Sequence, residues 1–211
     1  MVMKKKAIVA VVALVLVLCC AMGGTLAWLV DSTTEVKNTF TYGDINISLW
    51  EHKLNEDGLT LSEDVFTGAE QTGFKMIPGN KIKKDPTVTV EADSEASWLF
   101  VKIEESENFD DFMTYSIAGG WTRLTEDTKG NAISDLIYWR EVDVSNEQQA
   151  FEVLEDNEVS VLGTVTKDNL NALDANDANN YPTLTFTAYA VQRDTNIATA
   201  AQAWDTAMGN N

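Results

Sequence analysis

Few side chains in this sequence are of types that do chemistry, and their spacing limits what that chemistry is. The single histidine, His52, stands in Trp50-Glu51-His52-Lys53. A hydrolytic zinc site needs two or three imidazole or carboxylate ligands around an open position, most often as H-E-x-x-H on a helix, and no second histidine exists to build one. No G-x-S-x-G elbow occurs, and a Ser-His triad would have to use His52 with no visible partner arrangement. His52 therefore reads as an exposed surface residue at the end of a strand pattern. No catalytic, metal-ligating or cofactor-binding residue is assigned, and no cofactor is expected. Asp174-Ala175-Asn176-Asp177-Ala178-Asn179-Asn180 supplies the oxygen donors that hard cations prefer. It departs from the EF-hand register at Ala178 and lacks both the loop glycine and the terminal glutamate. An acidic turn is the stronger reading, with a calcium-dependent adhesin as the alternative.

The two cysteines, Cys19 and Cys20, lie in a segment that reads as an export signal rather than as part of a fold. Lys4, Lys5 and Lys6 precede an apolar run from Ala7 to Ala21, and Gly23-Gly24-Thr25-Leu26-Ala27 follows. A charged start, an apolar core and a small-residue exit make a secretory signal peptide over residues 1–27, cleaved between Ala27 and Trp28. The apolar run is about fifteen residues, short of the roughly twenty that a spanning helix needs. An uncleaved anchor lengthened by Met22, Gly23 and Gly24 is the competing reading. Lipidation at Cys19 would need a small residue just before it, where Leu18 stands.

With residues 1–27 gone the mature chain has no cysteine, so neither a disulfide nor a thiolate metal site is open to it. Twelve basic residues then face thirty-three acidic ones, a net charge of −21. Such a field repels nucleic acid and keeps copies apart at low salt, whereas screening ions or basic partners favour association. Residues 28–211 fit one domain with a sizeable core.

The elements that would position any site are mainly strands. Ile45, Ile47 and Leu49 alternate with Asp44, Asn46 and Ser48, and the same period of two returns at 87–90, 98–103, 133–144 and, most strongly, 183–191. Gly119-Gly120 and Thr128-Lys129-Gly130-Asn131 are expected as hairpin turns. Residues 51–71 and 171–180 read as long polar loops. Phe109 and Phe112 suit a short surface helix. Residues 167–173 suit another, capped by Thr166, and Ile197, Ala200, Ala201, Trp204 and Met208 share one face of a C-terminal helix. The pattern predicts an all-β sandwich with a few short helices, preceded by the signal-peptide helix.

Several of these segments resemble the TasA/camelysin family of secreted Gram-positive proteins. The exit Gly23-Gly24-Thr25-Leu26-Ala27, with an aromatic residue and then Asp31, looks like a signal processed by the dedicated SipW-type signal peptidase. Asn38-Thr39-Phe40-Thr41-Tyr42-Gly43-Asp44-Ile45 resembles the first mature strand of those proteins. The stretch from Phe74 through Pro78-Gly79 to Lys81-Ile82-Lys83-Lys84 is similar to their Pro-Gly turn and basic tail. Thr187-Ala188-Tyr189-Ala190-Val191-Gln192, with Ala203-Trp204, looks like the closing strand and helix of clostridial members. Trp28-Leu29 stands where the usual members carry Tyr-Phe or Phe-Phe, and the 51–71 loop is long.

The resemblance implies a jelly-roll sandwich, exported and used as a subunit or accessory component of a biofilm matrix or surface fibre. Its partners are then copies of itself or related matrix subunits, with the signal peptidase during export. Membrane contact is transient, through the signal peptide, and no nucleic acid is involved. It also implies that the mature N-terminal segment of one subunit completes the sheet of the next. Trp28, Leu29, Val30, Val36, Phe40 and Tyr42 are the apolar side chains of that segment, costly to leave in water. Folding back as an edge strand of its own domain is the plainer alternative. The family has also been described as a metallo-endopeptidase, an activity for which His52 alone provides too few ligands.

Overall fold

The structure, a computed structural model, describes residues 44–66, 71–173 and 180–209, all within the unit Asn38–Asn211. The signal segment, the cleavage position, the assembly residues 28–42 and positions 174–179 of the acidic stretch lie outside the described residues.

The period-two segments become antiparallel strands of two packed sheets, so the protein is all-β with short helices. One sheet holds β1 (Ile47–Leu54), β2 (Leu61–Phe66), β4 (Thr87–Val90) and β9 (Gln149–Glu152), in the order β2-β1-β4-β9. The other holds β5 (Ser97–Glu105), β7 (Thr122–Arg123), β8 (Leu136–Val142) and β11 (Leu184–Gln192), in the order β11-β5-β8-β7. Ile47, Val88 and Val90 of the first sheet meet Leu99, Val101, Ile103, Val142, Ala188 and Ala190 of the second, which makes the sandwich core. Each fully buried Leu, Val or Phe contributes about 1.5–3 kcal/mol of transfer free energy.

Alternation along the second sheet sends every other side chain the opposite way. Trp98, Phe100, Ile137 and Val191 form a second apolar layer, covered by α3 (Ala200–Ala207) through Ala200, Ala203, Trp204 and Ala207. This explains why β5 reads as a nearly unbroken apolar run: both of its faces are covered. Thr199 caps α3 by accepting from the Gln202 N–H, and Gly209, at φ +69°, follows its end. The helix is turned slightly from the expected face: Ala203 and Ala207 are inside, while Met208 is exposed.

A small third sheet, β3-β10-β6, joins β3 (Lys81–Lys83), β10 (Glu158–Val161) and β6 (Met113–Thr114). Beside it lie α1 (Phe109–Phe112) and α2 (Lys167–Asn171). Phe109 and Phe112 are both buried, so α1 is tied into the core by its aromatic pair. Thr166 caps α2 in a reciprocal capping box with Asn169.

Two expectations need correction. Residues 51–71 are not one long loop: β1 continues to Leu54 and pairs with β2, with Glu51 opposite Phe66 and Leu54 opposite Leu61. The polar sequence of β2, Leu-Ser-Glu-Asp-Val-Phe, hides it, because an outer strand with little to bury has no apolar alternation to reveal. At the turn, the Asp57 carboxylate accepts from the N–H groups of Leu59 and Thr60 and from the Thr60 hydroxyl. Gly58 at φ +71° passes so close to the Gly73 carbonyl that a Cβ would sit 2.7 Å from it. The second correction concerns Gly119-Gly120, which is a turn but joins no hairpin: β7 pairs with β8, whereas the preceding β6 pairs with β10. The Thr128–Asn131 turn does connect an antiparallel ladder, closed by the Glu126–Ala132 bridge.

Candidate functional site

His52 is not a free surface histidine. It lies on β1 beside Asp85, whose Oδ1 accepts the His52 backbone N–H at 2.9 Å and whose Oδ2 meets the ring Nδ1 at 2.5 Å. Asp85 is buried just before Pro86 and β4, so the pair ties two neighbouring chain segments together. A carboxylate on Nδ1 fixes the orientation of the ring. Among the described residues no hydroxyl or thiol hydrogen-bonds that ring, and the Trp50 ring meets it edge-on at 5.1 Å between centroids. The pair is an oriented imidazole without a nucleophile, and no group of three metal-ligating side chains occurs among the described residues.

The basic tail after Pro78-Gly79 is engaged internally. Lys81 and Lys83 flank Glu158 on the neighbouring β10, the second at 2.8 Å, and the Lys81 hydrogen bond holds the Glu158 carboxyl below its ordinary pKa. Lys84 turns inward, with its Nζ 2.9 Å from both Glu51 carboxylate oxygens. It lies over the rings of Phe74 and Phe186 at 5.3 and 5.5 Å. The basic tail is thus a set of structural pins between segments more than thirty residues apart.

The element best placed to meet another chain is β11. Its only strand partner among the described residues is β5, and it spans nine residues without a charge or a proline. The Arg193 N–H donates to the Ala96 carbonyl and the Ser106 N–H to the Thr183 carbonyl. With the paired register, these bonds assign the odd-numbered backbone groups of β11 to β5 and turn those of Leu184, Phe186, Ala188, Ala190 and Gln192 to the outer edge. The other outermost strands of the two large sheets are blunted: β2 carries Glu63 and Asp64, β9 spans four residues and β7 two.

Sequence reasoning missed Asp85 and the inward placement of Arg140. For Arg140 a signal existed. Tyr138, Arg140 and Val142 share strand parity, so a charged residue stands at a position whose neighbours face the core. For Asp85 there was no signal, since its histidine is 33 residues away.

Among the described residues no helix is long and apolar enough to cross a membrane. Comparison with protein-family models, with curated proteins and with solved structures found no match.

Proposed function

We propose that this chain is a secreted structural protein, a subunit or accessory component of an extracellular matrix or surface fibre. It assembles by lending residues 28–42 of its mature N-terminus as a strand to the next copy, and its sandwich is of the jelly-roll type. The observation that carries this reading is the outer edge of β11: long, uncharged and without a described strand partner. Such an edge is a template for strand addition, in which main-chain hydrogen bonds give affinity and alternate side chains give register. In the donor's sequence the apolar residues Val36, Phe40 and Tyr42 fall at period-two positions, the spacing that strand addition uses. Its resemblance to the first mature strand of the TasA/camelysin proteins supports the same reading.

Charge sets the conditions. A mature subunit at −21 repels its copies, so assembly is favoured by added salt or by lowered pH. Deleting Trp28 to Asn38 is expected to leave a folded monomer by size-exclusion chromatography and circular dichroism, without filaments in negative stain. Phe40→Asp weakens assembly more than Glu35→Ala, because burial of two or three large side chains is worth several kcal/mol at about 25 cal/mol per Å². Filaments of normal appearance from the truncated protein would refute the strand exchange and leave the segment as an edge strand of its own domain.

A further inference from the structure

The chain enters the sandwich beside one end of β11. The Asp44 carbonyl, at the start of the described residues, accepts the Glu95 N–H at 3.2 Å, and the neighbouring Ala96 carbonyl takes the Arg193 N–H at 2.7 Å. Arg193 follows directly on Gln192, the last residue of β11, which is paired with Ser97 at the start of β5. The chain preceding Asp44 is therefore tethered at the Gln192 end of the open edge. The Leu184 end lies about 26 Å away along the nine-residue strand.

Because a strand has a direction, that tether fixes what each arrangement of the preceding segment looks like. On the edge of its own domain, a segment ending at Asp44 runs from the Leu184 end to the Gln192 end, parallel to β11. A copy standing alongside, reached by folding back, receives it parallel as well. Lent to a copy stacked beyond the Gln192 end along the strand axis, the same segment meets that copy at its Leu184 end. It then runs antiparallel to β11.

Three observations favour stacking. Every pairing in the sheet of β11 is antiparallel, the pattern that is slightly more stable per residue. Asp44 and the adjoining turn between β4 and β5, with Glu91, Asp93 and Glu95, make the entry end acidic. Copies side by side would set these four carboxylates against the same four, whereas stacked copies hold them a strand length apart. That distance is several times the roughly 8 Å over which charges act at physiological ionic strength. Leu184 and Phe186, at the far end, are apolar and only partly buried, so that end has apolar surface left to cover.

We propose that copies of this chain join head to tail along the strand axis, the N-terminal segment of one entering the next at its Leu184 end and pairing antiparallel with β11. This rests on the strand exchange proposed above and adds its polarity. Phe40 and Tyr42, nearest the donor's own domain, then lie toward Leu184 and Phe186 of the acceptor, away from Ala190 and Gln192.

Residues 28–211 contain no cysteine, so introduced thiols report position alone. The test uses that chain with two cysteine pairs, Thr39→Cys with Thr185→Cys and Thr39→Cys with Arg193→Cys. Both are assembled in salt and treated with a bismaleimide much shorter than the edge, then run on a denaturing gel. The Thr185 pair is expected to give a ladder of covalent multimers and the Arg193 pair to stay monomeric. Thr183→Cys, exposed at the same end, is a second acceptor with the same expected ladder, and circular dichroism confirms folding. A ladder from the Arg193 pair, alone or as strong, would overturn the polarity and leave the strand exchange standing. A cross-link within single chains of the Arg193 pair, or no cross-link in any folded pair, would overturn both.

Discussion

Replacing Glu51 by alanine is expected to destabilise the fold far more than a surface charge deletion would, and the structure sets the size. Glu51 and Lys84 are each about 15% exposed at the side chain, with the Lys84 Nζ 2.9 Å from both carboxylate oxygens. Removing one member of a buried pair costs roughly 3–5 kcal/mol, mostly because the remaining charge is stranded. Here the rings of Phe74 and Phe186, at 5.3 and 5.5 Å, keep part of the cation's stabilisation, about 0.5–1 kcal/mol each. The expected cost of Glu51→Ala is therefore about 2–3 kcal/mol, a large share of the roughly 5–15 kcal/mol that holds a domain together. The double variant Glu51→Leu, Lys84→Met keeps the volume and removes both charges, and is expected within about 1 kcal/mol of the parent. Urea unfolding followed by tryptophan fluorescence gives both values from the shift in midpoint at constant slope. A cost below about 0.5 kcal/mol for Glu51→Ala, the range of ordinary surface changes, would refute the buried-pin reading of the basic tail. So would a double variant no more stable than the single one.

Trp204→Ala is expected to cost about 3–5 kcal/mol, because the indole packs at 5.3 Å between centroids against both Phe100 and Tyr189; calorimetry checks it, and a loss below about 1 kcal/mol would mean that α3 does not cover the sheet. On acidification, stability is expected to fall between about pH 4 and pH 2. The Thr60 hydroxyl holds Asp57 down to about 2, the Asn131 side chain lowers Asp127 and Lys81 lowers Glu158, so the unfolded chain takes up these protons first. Urea midpoints across that range test this, and Asp57→Asn should shallow the slope; an unchanged slope would remove Asp57 from the account. N-terminal sequencing of exported protein is expected to start at Trp28, and a start at the lysines would revive the anchor reading.

What local sequence determined here is whatever depends on neighbours a few residues apart. The period of two at 183–191 and 98–103 marks β11 and β5, because side chains on a strand must alternate between faces. Thr166 and Asn169 mark the start of α2, and Ala200 with Trp204 mark the buried face of α3, since caps and helix faces are properties of three or four consecutive positions. The tertiary structure alone decided which strands lie side by side, and with that the polar contacts between segments distant along the chain. His52 reads as a surface residue until Asp85 arrives from 33 positions away. Lys81, Lys83 and Lys84 are a basic tail in the sequence, and only the fold sets Glu158 and Glu51 against them. Arg140 shows its core-facing parity with Tyr138 and Val142, but only the approach of Phe151 from the other sheet and of Trp121 from its loop decides what its guanidinium lies against. Strand pairing and ion pairing join residues whose separation along the chain carries no period, and so they leave no mark on the local pattern.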